Sequence, residues 1–295
     1  MIRKSGNSVT VGKKMGKLEF EARFVVGKLR RGSSLTRNDM LNCLGNIGKR
    51  MQHFGLNSIK DMKTAHVNRY FAELRDKGLS AGRMANHATA MRMLCRMMGK
   101  GGIVASNREL GCARDIANRT KHSDERINPG RVAEVRAQLS KNNRIAYDMA
   151  RQFGLRQKET LLSHRIVSRD NAEYLVVEGA KGGRPREVKI LTDEQRCVLQ
   201  DNHEYRAENN GKLIDSTQGL RQGLKKLQNE LAEAGALRTS GANIHALRRE
   251  WIIEQCQQIV STPKADREDL LKELVEAIGH GRIEVIRAYT AMLKQ

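Results

Sequence analysis

The sequence predicts a mainly α fold with one small antiparallel β-sheet, divided between a helical N-terminal domain and an α+β C-terminal domain. Three observations carry that expectation. Apolar residues recur at three- and four-residue steps along most of the chain, as in helices with one buried stripe. Period-two alternation is confined to residues 165–191. The stretch from Lys121 to Gly130 is polar and turn-rich and reads as a linker, and 295 residues suffice for two cores without covalent staples.

Residues 1–37 hold Arg3, Lys4, Lys13, Lys14, Lys17, Arg23, Lys28, Arg30, Arg31 and Arg37 against Glu19 and Glu21, and are expected to form a basic, partly disordered arm. Residues 38–122 form the helical domain, with helices predicted over Asp39–Phe54, Thr64–Lys77 and Ser80–Met98. Val67, Tyr70, Phe71 and Leu74 mark one stripe of the second helix. Gly78 supplies its stop and Ser80 an N-cap for the third. Met84, Met91, Met93, Met97 and Met98 are expected to fill core, while Arg83, Arg92 and Arg96 are available to phosphates. In residues 123–295, Arg131–Leu139 and Asn143–Phe153 read as helices. Arg165–Ser168, Glu173–Glu178 and Arg186–Leu191 read as strands, joined in part by the turn Ala180–Pro185. Helix returns after Thr192.

Lys and Arg number 54 against 33 Asp and Glu, a formal charge of +21. Polyanions suit such a surface, because each neutralised phosphate releases condensed counterions. Aromatic residues are only 4% of the chain, too few for single-strand stacking platforms, so duplex is the favoured form. No apolar stretch approaches a membrane span and no signal peptide opens the chain, so a soluble, cytoplasmic protein is expected. Cys43, Cys95, Cys112, Cys197 and Cys256 are scattered without a C-x-x-C pair and suit reduced thiols. No histidine pair at i, i+4 and no acidic cluster suggests a metal, and no Walker spacing suggests a nucleotide, so neither metal nor cofactor is expected.

One ordered set of residues stands out: Arg156 with Glu159 three positions later, Lys181 in a glycine-flanked turn, His245-Ala-Leu-Arg248, Gly279-His280-Gly281, and Tyr289. Arginine forks match phosphate oxygens and stay charged. Glu159 is placed to orient Arg156, and the i, i+3 spacing presents His245 beside Arg248. Gly279 and Gly281 can break a helix around His280, so that a new helix returns Tyr289 toward it. His53, His66, His87, His122, His164 and His203 lack such context and are expected to be ordinary surface or core residues. Tyr70, Tyr147, Tyr174 and Tyr205 are expected to pack, as is Trp251.

This set resembles the signature of the tyrosine recombinase (phage integrase) family, and the resemblance spans residues 38–295. It implies a helical core-binding domain followed by a catalytic domain, in a C-shaped clamp around double-stranded DNA. It further implies strand cleavage and rejoining through a 3′-phosphotyrosyl link at Tyr289, for integration or excision of a mobile element. Arg156, Arg248, His245 and His280 would bind the phosphate or move its protons, with Lys181 as general acid and Glu159 in support. The implied assembly is a homo-tetramer on two sites, a monomer without DNA, with room for an accessory DNA-bending protein and none for a membrane. Two departures stand beside it. Ser261–Asp269 reads as an inserted loop, and only Thr290–Gln295 follow the tyrosine, which leaves the exchange of tails between protomers short. The rival expectations are a type IB topoisomerase-like or resolvase activity, and a non-cleaving DNA-binding regulator.

Overall fold

The computed structural model describes residues 15–26, 34–113, 126–179 and 185–279, together with residues 286 and 289. The chain divides into two compact units, Met1–Asp115 and Ile116–Gln295, each built around its own apolar cluster.

The first unit begins inside the segment expected to be an arm. Lys17–Val26 is a helix, α1, whose Leu18, Ala22 and Val26 recur every fourth residue and are buried against α2 (Ser34–His53). Glycine at position 48 permits the contact, since a Cβ there would stand 2.3 Å from the Leu18 carbonyl oxygen. The buried Glu19 carboxylate pairs with Arg23 at 2.9 Å and Lys49 at 3.3 Å. The arm is therefore corrected over residues 17–26, where a four-residue apolar repeat outweighs the basic composition. Residues 34–37 likewise belong to a helix, the first turn of α2, while residues 1–14 and 27–33 lie outside the described residues.

A 3₁₀ turn, Ile59–Asp61, is capped reciprocally by Ser58 and Asp61. It leads into α3 (Thr64–Asp76), which buries the predicted Val67, Tyr70, Phe71 and Leu74. Gly78 turns the chain at φ +69° and the Ser80 hydroxyl accepts from the Arg83 N–H, opening α4 (Ala81–Met97). Met84 and Met91 are buried and Met93 and Met98 pack partly against them, but Met97 falls on the solvent face and is exposed. Arg92 turns inward, bonding Asn107 Oδ1 at 2.8 Å and the Ala105 carbonyl at 2.6 Å, while Arg83 and Arg96 remain exposed.

In the second unit Asn128 caps α5 (Pro129–Gln138), with proline in the first turn where no N–H is needed. There follow α6 (Lys141–Phe153) and three antiparallel strands in the order β1 (Arg165–Arg169), β2 (Ala172–Val177), β3 (Arg186–Ile190). The register pairs Arg165 with Val176 and Glu173 with Ile190. Asp170 and Asn171, both at positive φ, make the tight turn between β1 and β2. The chain then forms α7 (Asp193–Glu208), α8 (Leu220–Glu233), α9 (Ile244–Val260) and α10 (Arg267–Ala277). The expected loop over Ser261–Asp269 is shorter than predicted: Arg267–Asp269 form the first turn of α10, where Glu268 and Asp269 complement the helix dipole. α9 packs on α6, α7 on α6, and α10 on both α9 and β3. Trp251 and Tyr147 lie in this core, the Tyr147 hydroxyl donating to the Ala242 carbonyl at 2.6 Å. Among the described residues no helix is long and apolar enough to cross a membrane, and no cluster of His, Cys, Asp or Glu has the makings of a metal site.

Candidate active site

The site is assembled where α6, α9 and α10 end or begin. α6 terminates at Gly154, which adopts φ +57°. Glycine is needed there twice over, for the left-handed turn and because a Cβ would stand 2.3 Å from Cε3 of Trp251. The turn sends Leu155 into the core and brings Arg156 to the rim. Glu159, at the start of the 3₁₀ turn Glu159–Leu161, then holds Arg156 at both ends: its Oε2 accepts the Arg156 backbone N–H at 2.8 Å and its Oε1 accepts from Nη1 at 2.8 Å. The predicted pairing thus forms, on a tight turn.

Asn143 and Asn243 both sit near helix starts, and it is Asn243 whose side chain caps α9, accepting the Ala246 N–H at 3.0 Å. His245 therefore lies in the first turn, exposed, and Arg248 one turn on, buried. Arg248 Nη2 donates to the Ile278 carbonyl at 2.7 Å and Nη1 bonds the Gly154 carbonyl. Arg156 Nη2 donates to that same Ile278 oxygen at 3.0 Å and to the Gly279 oxygen at 3.3 Å. These are carbonyls left without intrahelical partners at the C-terminus of α10, the negative end of its dipole. Gly279, at φ +62°, stops the helix as predicted. Two guanidinium groups from distant parts of the sequence thus converge on one oxygen.

A third arginine completes the cluster and carries no signal in the sequence. Arg186, at the start of β3, is buried, with Nη2 donating to Glu159 Oε2 at 2.7 Å and Nη1 bonding the Ala277 carbonyl. Burial alone would raise the Glu159 carboxyl. The Arg186 charge, the Arg156 backbone N–H and the hydrogen bonds from both arginines outweigh it, so the group stays below the ordinary glutamate value and ionised. Burial, aided by the charges of Arg156 and Arg186, presses the Arg248 guanidinium down to about 9, still cationic at neutral pH. Although His245 presents a face to solvent, the protein packed around the rest of the ring, followed by the charges of Arg248, Arg249, Arg156 and Arg238, holds it below its ordinary value, hence neutral and able to accept a proton.

Tyr289 has helical backbone, is half-buried and packs against the second unit's core. Burial raises its phenol; Arg248, Arg249 and Arg156, all within electrostatic reach, pull the other way. Arg156, Glu159, His245, Arg248 and Tyr289 are therefore brought together, whereas Lys181 and His280 lie outside the described residues. His164 has a structural part in this site. Its Nδ1 accepts the Glu178 N–H at 3.3 Å, which assigns the ring proton to Nε2, 2.7 Å from the Glu159 carbonyl oxygen. Burial presses this imidazole down to about 4, so it ties the 3₁₀ turn to the end of β2 as a neutral ring.

Residues 115–254 match a family model described as integrase, and residues 15–104 one described as the N-terminal domain of phage integrase. Among solved structures the chain is similar to the integrase of transposon Tn1549, solved with transposon right-end DNA, at a TM-score of 0.55 and 13% identity, covering 92% of this chain and 93% of that one. It is likewise similar to lambda integrase, solved as a dimer on a COC′ core site, at a TM-score of 0.56 and 15% identity, covering 88% and 73%. At such identities the likeness is one of fold. No curated protein sequence matches the chain.

Proposed function

The chain belongs to the phage integrase family of tyrosine recombinases, and on that footing we propose that it is a site-specific recombinase acting on duplex DNA through a covalent intermediate at Tyr289. The observation that carries the reading is the sharing of the Ile278 oxygen by Arg156 and Arg248. Two forks arranged to grip one anionic-ended dipole are also arranged to grip two oxygens of one phosphodiester.

In this reading the scissile phosphate replaces the helix-end carbonyls between Arg156 and Arg248. His245, neutral beside them, takes the proton of the Tyr289 phenol as its oxygen attacks phosphorus. The bond to the 5′ oxygen breaks, Lys181 donates the proton that leaves with that oxygen, and a 3′-phosphotyrosyl ester remains. His280 adds a hydrogen bond to the phosphate. Attack by a 5′ hydroxyl of a second strand reverses these transfers and needs no nucleotide, because the ester conserves the energy of the broken bond. The roles of Lys181 and His280 come from their place in the motif. Duplex DNA as partner is supported by the net charge of +21 and by the DNA present in both structures to which the chain is similar. A homo-tetramer on two sites, in the cytoplasm and at the nucleoid, serving a mobile element, is the setting this chemistry fits.

Covalent capture tests the proposal. The wild-type protein is mixed with a pool of nicked duplexes of randomised core sequence, and protein-linked DNA is recovered after denaturing electrophoresis. An adduct is expected from wild type and none from Tyr289→Phe, with DNA binding retained in both. An adduct that persists in Tyr289→Phe places the nucleophile elsewhere. Binding without any adduct from wild type identifies a non-cleaving regulator.

A further inference from the structure

Arg186 sits 27 residues from Glu159 and shares no motif with it. An arginine at the start of an edge strand is ordinarily solvated, yet this one is only 5% exposed, and its Nε has no hydrogen-bond partner among the described residues. Burying a guanidinium is costly even when it is paired, and an apolar side chain of similar volume commonly serves stability as well or better. Packing therefore gives no reason for arginine at this position. Its contacts do: Nη2 holds Glu159 Oε2, the oxygen that also accepts the Arg156 backbone N–H, and this leaves Oε1 facing Arg156 Nη1. Nη1 meanwhile bonds Ala277, the residue before the two carbonyls on which the Arg156 side chain rests.

We infer that Arg186 is a positioning residue for strand cleavage: by locking the Glu159 carboxylate and the end of α10, it fixes the plane of the Arg156 fork. The inference rests on the recombinase reading above. Without Arg186, Oε2 keeps only the Arg156 backbone N–H, so nothing outside Arg156 itself anchors the carboxylate, and the plane of the fork it orients is no longer fixed. Arg186 does not touch the phosphate itself. Its loss should leave DNA binding in place and slow the chemical step, since a displacement of about an ångström in a phosphate clamp costs on the order of 100-fold.

The experiment measures the rate of covalent adduct formation, and separately DNA affinity, on a nicked duplex recovered by the capture described above. Arg186→Met is expected to form adduct about 100-fold more slowly while binding within about twofold of wild type. Arg186→Lys, which keeps one donor to Glu159, should fall between Arg186→Met and wild type. Glu159→Gln should be slow as well, and the double variant Arg186→Met with Glu159→Gln no slower than the worse single, because the pair acts as one unit. Losses that multiply in the double variant, or equal rates for Arg186→Met and wild type, overturn the inference and leave the recombinase reading intact. No adduct from wild type would sink that reading and this inference with it. Where Arg186→Met fails to fold, Arg186→Lys carries the test: cleavage equal to wild type at equal affinity overturns it.

Discussion

Single residues carry most of the chemistry, and their contributions separate by measurement. Replacing Arg156 by Lys keeps the charge but loses the fork that reaches Glu159 and the helix-end carbonyls together. Cleavage should fall about 100-fold, with folding, read by circular dichroism, unchanged. Gly154→Ala should destabilise the second unit by roughly 2 kcal/mol or more, because the left-handed φ and the contact with Trp251 both resist a Cβ; urea unfolding reads it directly. His164 makes stability depend on pH. Its folded value, about 4, lies below the ordinary 6.5, so the folded state binds fewer protons than the unfolded chain. Its contribution is whole above about pH 6.5 and is lost as pH falls toward 4, by at most about 3 kcal/mol. Glu159, held below its ordinary value, loses its contribution in the same direction at lower pH still. Unfolding free energies across this range should decline less in His164→Gln than in wild type, and parallel declines would show that the ring is not the group titrating. Of the residues in this cluster, Arg156, Glu159, His245, Arg248 and Tyr289 were legible because local spacing or neighbours marked them. Arg186 and His164 were not: the packing of α10 on β3 carries Arg186 to its partners, and the pairing of β1 with β2 brings Glu178 to His164.

At the scale of the element, periodicity located α3 to α6 and the three strands to within a few residues, whereas the helices after Thr192 were foreseen only as a return to helix, without bounds. Composition misled where it competed with that pattern. The basic residues of 17–26 suggested an arm, but Leu18, Ala22 and Val26 lie on one face and close onto α2. Leu18→Ala should therefore destabilise the first unit by about 2–4 kcal/mol, a loss that a solvated tail would not show in thermal unfolding. Arg92 illustrates the same lesson in reverse: a cation read as available to phosphate is bound by a loop of its own unit. Sequence cannot tell these apart, since a positive charge has no periodicity that reveals its partner.

For the whole molecule the net charge of +21 sets the thermodynamics of association. If binding neutralises several phosphates, affinity for duplex should drop on the order of 1000-fold between about 50 and 200 mM salt, and titrations at several salt concentrations would give a steep linear slope of log affinity against log salt. A flat slope would mean that these cations face solvent without meeting DNA. The oxygen of Ile278 adds a threshold to that association. With a backbone dipole already seated between two guanidinium groups, a lone chloride or sulfate arriving from solution must evict a fixed ligand and recoups little. A polymer, anchored along its length by many other phosphates, can drive that exchange, so the paired guanidinium groups are shielded at rest from the small ions that surround them.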